Sequence, residues 1–584
     1  MGQARKPKGI PLCTGRYVIT VSVFVLAFVA ILGRAAYLQI YESNKLSIEA
    51  DKRSVRVKGI DTRRGVIYDR NGIELARSIP VESLWVDPKK IIDSPSLMHS
   101  VDWKKLATVL EMKESELTRF IKERSTKRFV WLKRKLHPEQ AQFIHRLSLD
   151  GVYLQQEQRR YYPTAEINSH VVGFTGIDSN GLEGLEKAFN DLLIGNPGQK
   201  KVVVDLYRNV IENKGIINDA KNGEDLVLSL DSRIQALAYR ELKAAVLRHG
   251  ARAGSLVILD IDTGEVLAMV NQPSYNPNRG DQRKPQLTRN RAVTDMFEPG
   301  STAKPFTVLT SLEAKSVKPN TLISTGPGKF RVDNQWVRDG VNLGTVTVTK
   351  ILQKSSNVGV AKLALALDDQ TFLDTFYKLG FGLDTGSGFP GESSGRLSIR
   401  HNWSQFEKAT MAYGYGFQVT PLQLAQAYAI IGSKGVKRPV SFLKVREPIS
   451  EERIFSKEST EQVLQMMETV VKEGGTATGA ALESYRTAGK TGTARKAIKG
   501  GYGDEYLSFF AGISPVSNPK IAMVVMLDEP EGDVYYGGDV AAPIYSNVAE
   551  QALRLLNIVP DKETLQTAHS SNTLLANNGG RKNG

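Results

Sequence analysis

The sequence contains one cysteine, Cys13, among its 584 residues. This scarcity excludes an intrachain disulfide and any metal cluster built on cysteines. The chain also lacks His-x-x-x-His and Cys-x-x-Cys spacings, which are common among zinc ligands. We therefore expect chemistry that uses no metal and no other cofactor.

A phosphate-binding loop is also missing, although Gly489-Lys490-Thr491 looks like the end of one. Such a loop needs a glycine five residues earlier, where backbone N–H groups wrap the phosphates, and position 484 is serine. The following segment, TARKAIKGGYGDEYLSFFAG, breaks into glycines and charges and does not continue as an amphipathic helix. The motif therefore needs another explanation.

The net charge of +15 leaves nucleic acid, an anionic membrane surface or an acidic polymer open as neighbours. Lys and Arg cluster at 102–135, but glutamates are interleaved there, which favours a solvated helical face. The sequence carries no RNA-binding signature and no zinc-finger spacing. We expect no nucleic-acid partner.

Long apolar runs are scarce, and the one near the N-terminus is YVITVSVFVLAFVAILG, between Arg16 and Arg34. As a helix it spans roughly 25 Å, close to the thickness of a bilayer's hydrocarbon core. A cleaved signal peptide is the alternative, but no Ala-x-Ala site follows the run. Four basic residues and no acidic one precede it, so we expect a cytoplasmic N-terminus and an extracytoplasmic remainder; they are Arg5, Lys6, Lys8 and Arg16.

The patterning predicts an α+β protein with one transmembrane helix. We expect a cytoplasmic tail (1–16), an anchor (17–40), a charged connector (41–60), an α+β pedestal module (61–220), a larger domain (221–558) and a disordered tail (559–584). In the larger domain, apolar strands at 254–270 are joined by Asp262-Thr263-Gly264-Glu265. Further strands near 506–527 and a closing helix indicate one antiparallel sheet completed by both ends of the domain.

A nucleophile is the next feature to seek. The stretch GESSG (391–395) matches a hydrolase elbow in letters only, because a glycine-rich loop precedes it where an apolar strand is required. Ser301 and Lys304 are better placed, since they stand three apart and Pro305 restricts the start of a helix to this point. The positive helix end there favours a developing oxyanion and a neutral lysine.

Ser355 and Asn357 begin another apolar helical run, and each alone is explained as a helix cap. Together, Ser301-x-x-Lys304, Ser355-x-Asn357 and Lys490-Thr491-Gly492 resemble, in this order, the three active-site motifs of penicillin-binding proteins and serine β-lactamases. In those enzymes the Lys-Thr-Gly motif lies on a strand at the edge of the cleft.

The resemblance covers about 60–555 and is most similar to class B penicillin-binding proteins, in particular their division-specific members. It includes RRGVIYDRNGIELA, RRYYPTAEINSHVVGFTG and GLEGLEKAFNDLLIG of the pedestal module, and AYGYGFQVTPLQLAQAYA and FPGESSGRL of the larger domain. It implies a β-lactamase-like transpeptidase domain whose antiparallel sheet is flanked by helices. Glycosyltransferase motifs are not recognisable.

The resemblance also implies the residue roles. Ser301 would attack a D-Ala carbonyl of a peptidoglycan stem peptide, Lys304 would act as base, and Ser355 would relay the proton. Asn357 would orient Lys304 and the substrate amide. The N–H groups of Ser301 and Thr493 would form the oxyanion hole, and Gly492 would allow close approach of backbone and substrate. Lys490, Thr491 and Thr493 would hold the terminal carboxylate, which β-lactam antibiotics mimic.

Alternatives remain at this point. Water could resolve the acyl-enzyme, as in a D,D-carboxypeptidase or β-lactamase, or the fold could serve as a penicillin-sensing or scaffold protein. An elongation-specific relative is the nearest rival to a division-specific one. The resemblance implies a position in the inner membrane at the septum, with a membrane-embedded glycosyltransferase and other division proteins as partners.

Overall fold

The computed structural model describes residues 14–60, 62–205, 210–397, 403–447, 451–498 and 501–562. Its α-helices in chain order are α1 (Thr14–Ala36), α2 (Ser43–Ser54), α3 (Pro88–Ile92), α4 (Val101–Val109), α5 (Glu114–Lys122), α6 (Pro138–Leu147), α7 (Ser169–Val172), α8 (Gly184–Ala188), α9 (Asn190–Ile194), α10 (Ser232–Arg248), α11 (Pro285–Thr288), α12 (Arg291–Thr294), α13 (Lys304–Glu313), α14 (Val348–Lys354), α15 (Asn357–Leu365), α16 (Asp369–Lys378), α17 (Gln405–Met411), α18 (Pro421–Gly432), α19 (Lys457–Val471), α20 (Gly537–Val540) and α21 (Ala542–Leu555).

Its strands are β1 (Val55–Ile60), β2 (Ile67–Tyr68), β3 (Glu74–Val86), β4 (Val130–Lys133), β5 (Val152–Tyr161), β6 (Phe174–Thr175), β7 (Gly181–Glu183), β8 (Gly198–Val204), β9 (Val210–Asn218), β10 (Leu226–Val227), β11 (Ala253–Asp260), β12 (Val266–Gln272), β13 (Leu322–Ser324), β14 (Lys329–Val332), β15 (Gln335–Arg338), β16 (Thr345–Thr347), β17 (Val436–Lys437), β18 (Glu452–Arg453), β19 (Ala488–Ile498), β20 (Gly501–Ser514) and β21 (Ile521–Asp528).

The first structural unit comprises Met1–Thr62 and Gly195–Asn222. Helix α1 and the turn after it, Thr14–Tyr41, form a segment of 28 residues with mean hydropathy 2.3, long and apolar enough to cross a membrane. The predicted cytoplasmic residues up to Cys13, with three of the four basic residues, lie outside the described residues, as do 563–584 of the predicted tail.

The predicted connector is more ordered than its charge indicates. Helix α2 occupies most of it, and β1 then pairs antiparallel with β8, which pairs with β9. The segment Gly195–Asn222 therefore groups with the residues before Thr62 in one structural unit. A pairing between positions so far apart leaves no local sequence signal.

The second unit comprises Arg63–Ile194 and Gly223–Gly584. In its first part, β3 is the centre of a sheet, paired antiparallel with β2, β4 and β5. Helices α4, α5 and α6 bury one apolar face each against Leu84 and Val86 of β3, around the fully buried Trp103. The amphipathic segments SELTRFIKE and PEQAQFIHRL fall in α5 and α6.

A buried ion cluster joins the three pedestal sequence blocks. Glu186 accepts from Arg64 Nε at 2.7 Å and from Arg160 Nε at 2.6 Å. The side chains are 3%, 0% and 1% exposed for Arg64, Glu186 and Arg160. Each block contributes one member, so these segments are held together by charges that are costly to separate.

The main sheet of the second unit has the order β12-β11-β21-β20-β19, and its neighbouring strands are antiparallel. Strand β11 is buried on both faces: Leu256 and Ile258 pack toward α10 and α21, and Val257 and Leu259 pack toward α13 and α18. The early hairpin, the late strands and the closing helix α21 are thus confirmed. So is the predicted α+β class, with the antiparallel sheet flanked by helices.

Candidate active site

Ser301 lies in a 3-10 turn, Gly300–Ala303, that leads directly into α13. Pro305 occupies the first turn of α13, where a missing N–H costs nothing. Gly300 has φ +53°, a left-handed conformation that a residue with a side chain rarely adopts. The predicted position of Ser301 at the start of a helix is confirmed.

Lys304 is the first residue of α13 and is fully buried, at 0% exposure. Its Nζ donates to the carbonyl oxygen of Ser355 at 2.5 Å and is 2.9 Å from Ser355 Oγ. Ser355 Oγ in turn donates to Ser301 Oγ at 3.1 Å. The three side chains form one hydrogen-bonded chain, with Ser355 between the amine and the Ser301 hydroxyl.

Ser355 owes this position to an unusual backbone. It ends α14 with φ 60° and ψ 42°, and α15 begins two residues later, capped by Ser356. A left-handed serine is uncommon and costs on the order of 1 kcal/mol, so such residues concentrate at functional sites. Here the conformation turns both the carbonyl oxygen and the hydroxyl of Ser355 toward Lys304.

The amine of Lys304 is held in a state that resists protonation. Burial lowers the pKa of Lys304 well below its usual value, the positive charge of Lys490 lowers it further, and Asp339 opposes the shift. Lys490 is itself fully buried, which lowers its pKa to about 7. A neutral amine beside a hydroxyl can accept a proton, which a charged lysine cannot do.

The Lys-Thr-Gly motif lies on β19, as predicted from the family resemblance. Lys490 Nζ donates to the carbonyl oxygen of Thr491 at 3.2 Å and is turned into the protein. Thr491 shares a hydrogen bond of 3.0 Å with the hydroxyl of Thr476, and Thr493 Oγ1 accepts the N–H of Gly537 at 3.0 Å. Lys490 therefore contacts its own strand, and Thr493 is more exposed than Thr491, which is buried.

Gly492 lies where β19 packs closely against neighbouring residues of the protein. A Cβ built there would overlap the ring of Phe509 and lie 3.0 Å from Thr302 Cγ2. The missing side chain thus faces the protein and seats β19 against the turn that carries Ser301. This packing role stands beside the expected close approach of a substrate, which stays a prediction.

The Asn357 Nδ2 donates to the carbonyl oxygen of Arg338 at 2.9 Å, and among the described residues no hydrogen bond joins Asn357 to Lys304. The Asn357 backbone N–H donates to Asp339 Oδ1 at 2.5 Å, and Ser356 Oγ donates to Asp339 Oδ2 at 2.6 Å. Sequence reasoning missed Asp339, which follows the β14–β15 hairpin and joins the Ser355–Asn357 segment to it. An Asp-Gly pair in a loop offered no signal beyond a turn.

The segment AYGYG (412–416) supports the turn from behind. Gly300 donates its N–H to the carbonyl oxygen of Gly414 at 3.1 Å, and a Cβ on Gly414 would overlap that turn. Tyr428 Oη donates to the carbonyl oxygen of Thr302 at 3.0 Å. The turn is thus fixed on two sides, by β19 and by this segment.

Two other serines stand in look-alike motifs: Ser393 in GESSG, and Ser441 in a second Ser-x-x-Lys spacing with Lys444. Ser393 is in a loop, where its N–H donates to the carbonyl oxygen of Val293, and Ser441 Oγ donates to the carbonyl oxygen of Leu443. Neither is hydrogen-bonded to a lysine amine. Within the described ranges, no group of three or more His, Cys, Asp or Glu side chains is placed to hold a metal ion.

Two family models match the chain. The penicillin binding protein transpeptidase domain matches 254–550, and the penicillin-binding protein dimerisation domain matches 59–228. The first match contains every residue of the hydrogen-bonded chain just described, and the second contains the buried ion cluster.

Curated relatives match over nearly the whole length. The peptidoglycan D,D-transpeptidase FtsI of Escherichia coli K12 is 43% identical over 550 residues, covering 94% of this chain and 93% of the relative. The probable peptidoglycan D,D-transpeptidase PenA of Neisseria meningitidis is 38% identical, covering 96% and 95%.

Solved structures of penicillin-binding proteins are also similar to this chain. The transpeptidase domain of Burkholderia pseudomallei penicillin-binding protein 3 is 40% identical, with a TM-score of 0.54 over 57% of this chain and 98% of that one. Penicillin-binding protein 3 of Mycobacterium tuberculosis, in complex with aztreonam, is 26% identical, with a TM-score of 0.67 over 86% and 98%.

Gly492→Ala should destabilise the protein, because the new methyl group overlaps Phe509 and presses on Thr302. Overpacking of this kind costs roughly 1–3 kcal/mol, which lowers the thermal unfolding midpoint. Gly280→Ala is the matched control, since a Cβ there meets nothing within 4 Å. Equal unfolding midpoints for the two variants in calorimetry would contradict the packing role of Gly492.

Proposed function

Since the chain belongs to the penicillin-binding proteins and joins their dimerisation domain to their transpeptidase domain, we propose that Ser301 is its acylated nucleophile. The protein is a peptidoglycan D,D-transpeptidase, the activity named for its full-length relatives. Its likeness to FtsI assigns it to septal cell-wall synthesis. The observation that carries the residue assignment is the hydrogen-bonded chain Lys304–Ser355–Ser301.

In acylation, Ser301 Oγ attacks the carbonyl of the penultimate D-Ala of a stem peptide and terminal D-Ala leaves. The Ser301 proton passes to Lys304, with Ser355 as the relay because its hydroxyl lies between the two. Ser355 then returns the proton to the leaving amine. The neutral state of Lys304, favoured by burial and by Lys490, makes the first transfer feasible.

The oxyanion of the tetrahedral intermediate requires two donors. We assign the N–H groups of Ser301 and Thr493, since a Cβ on Gly300 would lie 3.8 Å from the carbonyl oxygen of Thr493 and the two segments are therefore adjacent. The hydroxyls of Thr491 and Thr493 receive the terminal carboxylate of the substrate or of a β-lactam. The positive charge of Lys490 attracts the same carboxylate.

A second stem peptide's amine then attacks the acyl-enzyme and forms the cross-link. Asn357 orients the substrate amide in this scheme, while Asp339 fixes the segment that holds Ser355 and Asn357. If water resolved the ester at a comparable rate, the protein would behave as a carboxypeptidase. Product analysis with a stem-peptide donor and acceptor distinguishes the two reactions.

Helix α1 and the turn after it anchor the chain in the membrane by a single pass. We assign its N-terminus to the cytoplasm and its catalytic domain to the periplasm, because basic residues alone precede the apolar run. A membrane-embedded glycosyltransferase would supply the glycan strands, since no such activity is recognisable in this chain.

We predict one penicillin adduct per chain, on Ser301, by mass spectrometry of tryptic peptides from the labelled protein. Ser301→Ala should fold with an unchanged thermal midpoint and take up no label. Ser393→Ala, a loop serine from the decoy motif, should label as wild type does. An adduct on Ser393, Ser441 or Ser517 would overturn the assignment.

Acylation should fall as pH drops through the lowered pKa of Lys304, because only the neutral amine accepts the Ser301 proton. Lys304→Arg should lose at least about 100-fold in second-order acylation rate, since a guanidinium does not give up its proton. Stopped-flow acylation across pH 5–10 measures both effects. Activity of Lys304→Arg within about tenfold of wild type, ~1.4 kcal/mol, would exclude Lys304 as the base.

Asp339→Asn sharpens this test. Asp339 raises the pKa of Lys304, so its removal should lower that pKa and move the acid limb of the profile to lower pH. Asp333→Asn, in the turn between β14 and β15, is the control and should leave the limb in place. A limb that stays fixed in Asp339→Asn would assign it to another group, such as Lys490.

Membrane orientation is tested by a reporter fused after Asp61, which should be active only when it is exported. The expectation follows from the basic residues before the apolar run. Replacing those residues with glutamine should reduce the exported fraction. Recovery of a soluble chain trimmed near Ala35 would instead identify the run as a cleaved signal.

A further inference from the structure

A basic cavity of about 280 Å³ lies outside the Ser301 site. Its wall combines cations from two parts of the second unit: Lys135, Arg159 and Arg160 come from the part that ends at Ile194, and Arg283 follows β12. None of the described residues that line it is acidic. None of them takes part in the catalytic scheme.

Arg160 is the most constrained of these cations. Its Nε bonds Glu186 and its Nη1 donates to the carbonyl oxygen of Gly65, but Nη2 is buried without a partner in the described part of the chain. The residue is 4% exposed. Because Glu186 also serves Arg64, two guanidinium groups share one carboxylate and the cluster keeps an excess positive charge.

Lys135 carries three separate costs. Its backbone has φ 54°, it is half-buried, and its Nζ makes no hydrogen bond among the described residues. Burial lowers its pKa, with Arg134 and Arg159 adding to the shift and Glu157 and Asp178 opposing it. The neighbouring carboxylate of Glu157 is occupied by two bonds from Arg134 and does not pair with Lys135.

Arg283 completes the wall opposite. It is held in place by donating to the carbonyl oxygens of Pro277 and Thr175, and its guanidinium lies 4.6 Å from the centre of the Phe174 ring. Burial lowers the pKa of Arg283, and Arg159 adds to the shift. Four cations thus line one cavity, an arrangement that an entering anion would stabilise.

We propose that this cavity binds an oxyanion, a carboxylate or phosphate group, between Lys135, Arg159 and Arg160. Guanidinium forks match the planar edge of a carboxylate or two oxygens of a phosphate, and Lys135 supplies a point charge. The Nζ of Lys135, which makes no hydrogen bond among the described residues, and the guanidinium of Arg159 are the donors that the ligand contacts, and Arg160 adds its positive charge. The unfavourable backbone of Lys135 is maintained because it brings the amine to this ligand.

Binding is tested on the full chain in detergent by thermal unfolding against sodium phosphate, with sodium chloride at equal ionic strength as reference. Wild type should show a midpoint that rises and saturates. Lys135→Gln should bind at least about tenfold more weakly, as should Arg159→Gln, because each removes a charged donor. Lys104→Gln, an exposed lysine of α4, is the matched control and should respond as wild type does.

Lys135→Gly separates ligand binding from folding. Glycine tolerates φ 54°, so this variant should be at least as stable as wild type without ligand and yet lose the phosphate response. Penicillin labelling of Ser301 should be unchanged in all of these variants. Sodium phosphate and N-acetylglutamate represent the two ligand classes. The diamide of N-acetylglutamate carries no carboxylate and is the control for the second class.

A saturable response to phosphate, to N-acetylglutamate or to both supports the site and identifies its anion. The proposal is overturned if wild type responds no more than it does to chloride. It is also overturned if Lys135→Gln and Arg159→Gln respond as wild type does.

Discussion

The burial of the Lys304 amine is the constraint on which the rest of the active site depends. A buried ammonium without a hydrogen-bonded carboxylate costs several kcal/mol, so the amine is retained at low cost only when neutral. Burial and the charge of Lys490 favour the neutral amine by lowering its pKa. The carbonyl and hydroxyl oxygens of Ser355 accept its hydrogen bonds. In the proposed scheme the same neutral state lets Lys304 act as the base, so packing and catalysis make the same demand on this residue.

That demand explains the backbone around it. Three segments distant in sequence must meet within hydrogen-bonding reach, and no side chain can be allowed between them. Gly300 packs on Gly414, Gly492 packs on Thr302, and Ser355 accepts a left-handed conformation. Each position gives up conformational freedom or a side chain so that the Ser301 hydroxyl, the amine and strand β19 come together.

Sequence reasoning recovered the elements whose signals are local. The Asp262–Glu265 turn located the β11–β12 hairpin, and Pro305 located the start of α13. The motif residues came from their combination, since Ser-x-x-Lys occurs again at Ser441 and Ser517. The sequence did not indicate how the motif residues are oriented: Lys490 is buried, and Gly492 faces Thr302.

The features missed entirely are those that need two distant segments. The contacts of Asp339 depend on its hairpin lying beside the Ser355–Asn357 segment. The β1–β8 pairing likewise depends on Gly195–Asn222 lying beside β1. The charges at 102–135 were interpreted as a solvated face, which suits α4 and α5. Lys135, at the end of that stretch, instead lines a cavity with Arg283, a partner that no local pattern indicates.

The register of the main sheet also constrains how the chain matures after synthesis. Strand β11 pairs with β21, so that Asp260 meets Ile521 roughly 260 residues later. At about 5–20 residues per second, β11 is made roughly 13 to 50 s before its partner strand exists. During that interval one edge of a largely apolar strand stays unpaired. If the chain folds as it is synthesised, the early hairpin stays incomplete until the last strands are made.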